Sequence, residues 1–225
     1  MSNPNYVKQG EITTHKILAW LYEYKYSTSA ILEKVAELST PGIYYTLSKM
    51  KKKGLLVSSK PSPPMKIVWG ITWEGICELG EIEEARKYEP SKFNELTATH
   101  HYNLQSLALL FNQKGYKLIP LKKTNVGSSE KIPDGYIINN NQKIAIELER
   151  TIKTKSRYKN IWGGYINDIR KGHYSSVKYY LPNKRSQTLP KIFNSIKTIV
   201  INGQQAEFTQ DLRDFFSFTD ISDKI

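Results

Sequence analysis

Three carboxylates stand near one another in the middle of the chain. Asp134 lies in Ile132-Pro133-Asp134-Gly135, and Glu147 and Glu149 lie in Lys143-Ile144-Ala145-Ile146-Glu147-Leu148-Glu149-Arg150. The apolar runs around them flank an Asn/Gln turn, Asn139–Gln142, which is the pattern of a β-hairpin. Strand side chains alternate, so Ile144, Ile146 and Leu148 share one face while Ala145, Glu147 and Glu149 share the other. Glu147 and Glu149 are then about 7 Å apart on that face. Asp134, at the start of the partner strand, can converge on Glu147. Two or three carboxylates at a strand end make a hard oxygen site suited to Mg2+ or Mn2+. Such a metal polarises a phosphoryl oxygen and lowers the pKa of a bound water. Taken singly, each residue has a plainer reading: Asp134 as an Asp-Gly turn residue, Glu147 as a solvent-facing strand carboxylate.

The flanking charge favours the site. Between residues 150 and 185 the basic residues are Arg150, Lys153, Lys155, Arg157, Lys159, Arg170, Lys171, Lys178, Lys184 and Arg185, and the one acid is Asp168. Cations that hold a phosphate backbone beside carboxylates that hold a metal are what a phosphodiester site needs. The whole chain carries 33 Lys and Arg against 21 Asp and Glu, a formal charge of +12 over 225 residues. That surplus points to a polyanionic partner. An anionic membrane is the weaker choice, because no run of about 18 apolar residues exists to span one. The first residues, MSNPNYVKQGEITTHK, lack an apolar segment of signal-peptide length, so a cytoplasmic protein is expected. The single cysteine, Cys77, excludes an intrachain disulfide and a cysteine metal cluster.

Upstream, the elements read as a DNA-addressing module. Thr14–Tyr24 places Ile17, Leu18, Leu21 and Tyr22 at helical spacing. Ser27 or Thr28 can cap a second helix through Leu38. A third helix, about Pro41–Lys53, turns Ile43, Leu47 and Met50 inward and leaves Tyr44, Tyr45, Ser48, Lys49, Lys51, Lys52 and Lys53 outside; Gly54 ends it. Leu55–Ser58 and Lys66–Ile71 read as strands joined by a proline-rich loop containing Lys60, a stiff wing. Another helix opens at ITWEGICEL. The glutamates between Glu74 and Glu95 read as the solvated face of a linker with a boundary near Glu89-Pro90-Ser91.

Downstream, Thr99–Gln113 reads as a helix, Tyr116–Lys122 as a strand, and the chain after Glu149 as a helix through about Arg170. Strands are expected at Val177–Leu181 and Thr198–Ile201. His100 and His101 could contact phosphate or a metal, although a capping role is the commoner one. Tyr136, Tyr158 and Tyr165 lie close to the carboxylates in sequence, mostly as packing residues, with a tyrosine nucleophile as the sharper alternative. His15 and His173 have no partner at ligand spacing. Trp162-Gly163-Gly164 suits a helix irregularity better than a phosphate loop.

Two resemblances follow from these strings. TPGIYYTLSKMKKKGLL followed by ITWEGICEL resembles the winged helix-turn-helix family over roughly residues 10–85. It implies that Tyr44, Tyr45, Ser48, Lys49 and Lys52 face a major groove, with Lys60 on phosphate. Pro133-Asp134 … Glu147-Leu148-Glu149, followed by Lys153, Arg157 and Tyr158, resembles the PD-(D/E)XK nuclease superfamily over about residues 97–203. The usual lysine of the E-x-K triplet is replaced here by Glu149. Variants of the superfamily move the lysine onto the next helix, which makes Lys153 the counterpart and Lys155 the second choice. The resemblance implies Asp134 and Glu147 as metal ligands, Glu149 as third ligand or general base, Lys153 as stabiliser of the developing charge, and Lys155, Arg157 and Tyr158 on DNA.

The order of modules, with the THHYN segment before the core, resembles the small relaxases and relaxation proteins of mobilisable plasmids, the MOBC class. The heteromeric-transposon endonucleases are similar in the core but place the winged helix after it. The expectation is therefore an α/β (α+β) chain, with a winged helix-turn-helix in residues 1–88 and a restriction-endonuclease-like mixed-sheet domain in 89–225. Its expected activity is a Mg2+- or Mn2+-dependent nick at a specific site on plasmid double-stranded DNA, such as a transfer origin. Accessory mobilisation proteins and a homodimer are the further partners implied. The alternative is a DNA-binding transcription or copy-number regulator whose nuclease-like domain is inactive and only dimerises.

Overall fold

The structure, a computed structural model, describes residues 4–61, 63, 66–80, 87–121, 132–184 and 186–224, with side chains from residue 8 onward. The acids Glu81, Glu83 and Glu84, the polar loop after Lys122, most of the wing tip and Arg185 lie outside the described residues. The chain divides into two compact units, Met1–Leu109 and Leu110–Ile225, so the boundary falls later than the linker prolines suggest. Among the described residues, no helix is long and apolar enough to cross a membrane.

The first unit begins with α1 (Pro4–Tyr24), then β1 (Tyr26–Thr28), α2 (Ser29–Ala36), α3 (Thr40–Lys52), β2 (Leu56–Ser59), β3 (Val68–Ile71) and α4 (Trp73–Glu78). Its sheet has the order β1-β3-β2 and is antiparallel throughout. Three helices with a strand inserted before the second, closed by a hairpin, make a winged helix-turn-helix. The local causes are visible. The Thr28 hydroxyl accepts the N–H of Ile31 and caps α2. Glu37 turns left-handed at φ 55° and stops it. Pro41 sits in the first turn of α3, where its missing N–H has no partner to lose, and Gly54 at φ +79° ends the turn after the helix. Ile17, Leu18, Leu21, Leu32, Ile43 and Leu47 are fully buried and form the core. The strand β1 has no sequence signature: three residues are too few for alternation to register.

The helix α5 (Glu95–Asn112) leads from the first unit into the second. There follow β4 (Ile119–Pro120), β5 (Gly135–Asn139), β6 (Gln142–Leu148), α6 (Lys155–Arg170), β7 (Ser176–Leu181), α7 (Leu189–Ser195), β8 (Thr198–Ile201), β9 (Gln204–Glu207), α8 (Gln210–Arg213) and β10 (Phe216–Asp220). The main sheet runs β10-β7-β6-β5-β4, with antiparallel pairs from β4 to β6 and parallel pairs from β6 to β10. This is the mixed sheet and the helix–three strands–helix–strand order expected of a restriction-endonuclease-like core. The β5–β6 turn is a two-residue loop, with Asn140 at φ 49° and Asn141 at φ 60°, a left-handed pair that Asn tolerates.

Four elements differ from the sequence expectation. β4 keeps only two residues, because Pro120 gives no N–H to a ladder and suits an edge. α6 begins at Lys155 rather than at Arg150, because the Thr154 hydroxyl accepts the Arg157 N–H and fixes the start there. β8 is not in the main sheet; it pairs with β9 as a separate hairpin. The edge beside β7 is taken instead by β10, near the chain's end. α6 packs directly on β8 at Gly163, where an added Cβ would lie 1.7 Å from the Val200 carbonyl oxygen. The Trp162-Gly163-Gly164 segment is thus a close-approach point inside a regular helix, with Trp162 stacked on Tyr158 at 4.9 Å.

Candidate functional site

In the first unit, α3 presents a polar stripe. Tyr44 is 46% and Tyr45 71% exposed, and Ser48, Lys49, Lys51, Lys52 and Lys60 are exposed as well. Ile43, Leu47 and Met50 on the opposite side are buried, so helical spacing alone aims the stripe outward. Two contacts fix it. The Ser29 hydroxyl donates to the Tyr44 hydroxyl at 3.2 Å, and the Lys51 ammonium donates to the Ser58 hydroxyl on β2 at 2.7 Å. The residues expected on DNA in this unit are therefore on one exposed helix face, apart from Lys60, which directly follows β2.

His101 does something else. Its Nε2 lies 3.1 Å from the Tyr26 carbonyl oxygen on β1, and its ring sits 4.2 Å from the Tyr26 ring. Burial pushes its pKa down to about 4, against the opposing effect of hydrogen bonds to backbone carbonyls. The expectation of a phosphate or metal contact is corrected for this residue: it closes the end of β1. Gln105, missed in the sequence, completes that closure. It is fully buried, accepts from the Trp20 indole at 2.8 Å and donates to the Tyr26 carbonyl at 3.0 Å. A helical offset of four from His101 was its only signal. His100 is half-buried on the same helix.

In the second unit the carboxylates meet as the hairpin predicts. Register places Gly135 opposite Ile146, so Asp134 falls across from Glu147. The Asp134 Oδ2 accepts the Leu148 N–H at 2.8 Å, and the backbone of Asp134 accepts the N–H of Leu121. Glu147 and Glu149 are each 4% exposed, on the face that meets α6. Tyr165 donates its hydroxyl to Glu147. Lys153 donates its ammonium to both oxygens of Glu149. The pair is nearly enclosed, with side-chain exposures of 24% and 5%. Lys153 is not on a helix. It stands in the short stretch before α6, and its backbone N–H is held by the Tyr158 hydroxyl at 3.2 Å. Lys155 and Arg157, in the first turn of α6, are exposed.

The tyrosines are corrected by burial. Tyr158 and Tyr165 are fully buried. Burial first, then the neighbouring carboxylates, raises the Tyr165 phenol well above its ordinary value; for Tyr158 burial raises it and Glu149 adds to the rise. Tyr158 therefore does not reach DNA, and neither phenol is placed as a nucleophile. They orient Lys153 and Glu147. Tyr179, paired with Glu147 across β6–β7, belongs to the same enclosed group and was not anticipated. His173, expected to stand without a partner, lies 3.6 Å from Asp168 by its Nδ1.

The donor set decides what cation could sit here. Among the described residues no group of three His, Cys, Asp or Glu side chains is placed to hold a metal ion, so the three-ligand arrangement is corrected. Glu149 is committed to Lys153. Glu147 takes the Tyr165 hydroxyl and Asp134 the Leu148 N–H; one or two carboxylates completed by substrate phosphate is what Mg2+ ordinarily takes from a protein.

No family model matches the chain, and no curated protein matches it. Two solved structures of ZitR from Lactococcus lactis are similar in part. One, a cysteine-substituted form in complex with DNA, shares 23% identity over 45% of this chain and 60% of its own, with a TM-score of 0.28. The other, a doubly substituted apo form, shares 20% identity over 49% of this chain and 72% of its own, with a TM-score of 0.29. The chain thus spans less than two thirds of the length of the first.

Proposed function

We propose that this protein binds double-stranded DNA by laying α3 in the major groove and Lys60 against the backbone. The observation that carries this is the exposed stripe of Tyr44, Tyr45, Ser48, Lys49 and Lys52 on the helix that follows the turn of a winged helix-turn-helix. Tyrosine and serine hydroxyls read base edges while ammonium groups neutralise phosphates. The net charge of +12 supports the same partner. A gel-shift titration with duplex DNA tests it: replacing Lys49 and Lys52 with Gln must weaken binding, and unchanged binding contradicts it.

For the second unit the proposal is a metal-dependent nick in one DNA strand, at a specific plasmid site of the transfer-origin class. Asp134 and Glu147 would hold Mg2+ or Mn2+, which supplies Lewis-acid polarisation of the phosphoryl group and a water of lowered pKa. Lys153, held by Glu149 and by the Tyr158 hydroxyl, offers positive charge to the phosphate as it becomes more anionic. Lys155 and Arg157 grip neighbouring phosphates.

A second reading is favoured by one observation: Glu147 and Glu149 are both buried and both already hydrogen-bonded within the chain. A core with its carboxylates closed in this way suits a DNA-binding regulator whose second unit has kept the fold without the reaction. Nicking of supercoiled DNA in the presence of Mn2+ separates the two readings.

A further inference from the structure

The first unit contains a cavity of about 510 Å3 away from α3. Its wall is aromatic. Tyr26 and Tyr88 have ring centroids 5.3 Å apart, Tyr26 and Phe93 also 5.3 Å, and Tyr88 and Phe93 6.4 Å. Trp73, which also lines the cavity, is 45% exposed. The cluster is held rigidly. The Tyr88 ring lies directly on Gly70, where an added Cβ would meet it at 2.2 Å, and its hydroxyl is 2.6 Å from that of Ser59.

The charge at the same place is one-sided. Among the described residues that line the cavity, Lys25, Lys87 and Lys92 stand with the carboxylate of Glu89, three cations to one anion. Lys92 takes Glu89 at 2.8 Å, and Lys87 and Lys25 add to the field that lowers the Glu89 pKa. Lys25 is also held in the left-handed region, at φ 65°, with its carbonyl accepting the Ile71 N–H. A non-glycine residue in that conformation marks a place where the fold fixes the backbone against local preference.

An aromatic cage alone would suit an organic cation, but the ammonium surplus repels one. An anion with a flat, stackable ring satisfies both halves of the cavity. We propose that this cavity takes one unpaired nucleotide, its base against Phe93 and Trp73 and its phosphate among Lys25, Lys87 and Lys92. Bases stack on aromatic side chains whatever their sequence, and lysines track the backbone beside them. The nucleotide can come from a single strand of nucleic acid or be free in solution; the ring-plus-phosphate chemistry is common to both. The site depends neither on duplex binding by α3 nor on the carboxylates.

Tryptophan fluorescence of the full chain tests this. Trp20, Trp69 and Trp162 are 8%, 6% and 0% exposed, so quenching by a stacked base reports on Trp73. The probes are a short single-stranded oligodeoxyadenylate, free dAMP and a blunt duplex. The expected result is quenching by the oligonucleotide or by dAMP at low salt, lost in Trp73→Phe, with affinity about tenfold weaker in Lys87→Glu and also weaker in Phe93→Ala. Quenching by the oligonucleotide alone assigns the site to a single strand; equal quenching by dAMP assigns it to a free nucleotide. No quenching by either, stronger quenching by the duplex, or unchanged affinity in Lys87→Glu overturns the proposal. Lys87 is exposed, so that variant keeps the test decisive even if Phe93→Ala unfolds.

Discussion

The Asp134 carboxylate accepts the backbone N–H of Leu148, the residue between Glu147 and Glu149, at 2.8 Å. One side chain from the start of β5 thereby fixes where β6 ends, and with it the positions of both glutamates. The fold and the proposed chemistry share this group, and substitutions can separate them. Asp134→Ala leaves the Leu148 N–H without its partner and costs about 1–3 kcal/mol of stability. Asp134→Asn keeps an oxygen for that N–H, recovers most of the loss in a urea titration, and still fails to nick because a neutral amide is a poor Mg2+ ligand. Full nicking by Asp134→Asn contradicts the assignment.

The proposed laying of α3 on duplex DNA predicts a salt effect. Lys52→Gln removes one phosphate contact, so the slope of log K against log salt falls by about 0.9. Lys191→Gln, at an exposed lysine of the second unit, leaves the slope unchanged. Binding across a salt series measures both.

Gly163→Ala places a methyl group against the Val200 carbonyl and pushes α6 off β8. The expected destabilisation is about 1–3 kcal/mol. It is read as a lowered urea midpoint, with duplex binding by the first unit retained. Because α6 also carries Tyr165, any nicking activity falls with it.

His101 gives a pH dependence of known sign. Its folded pKa, about 4, lies below the unfolded value, so below neutrality the unfolded chain binds the proton first. Its contribution to stability is complete above about pH 6.5 and is lost as pH falls toward 4. His101→Gln keeps a donor for the Tyr26 carbonyl and does not titrate. Urea midpoints of the two proteins should run parallel above about pH 6.5 and draw together as pH falls from there toward 4; parallel curves across that lower window contradict the account.

The sequence carried the periodic parts of this molecule. The apolar side of α3, the β5–β6 alternation and the Asn140-Asn141 turn were legible because spacing alone dictates them. β1, β9 and β10 were not, since three to five residues of ordinary polarity hold no period and are strands only through their neighbours. The convergence of Asp134 on the Glu147 strand was legible from hairpin register. The closure of that site was not: Tyr165 lies 18 positions from Glu147 and meets it only because α6 crosses back over the sheet. The start of α6 was misplaced because Arg150–Lys153 is as polar as the helix that follows, and only the Thr154 cap distinguishes them.

The most direct test of the central claim is strand nicking of supercoiled plasmid carrying the protein's own site, with Mg2+ or Mn2+, resolved on a gel after protease treatment. The account predicts open-circular product with the wild-type chain and none with Glu147→Gln, while both shift duplex DNA equally. Nicking by Glu147→Gln at the wild-type rate contradicts the site. Absence of any nick from a wild-type chain that still binds its duplex removes the enzymatic reading and leaves the regulator.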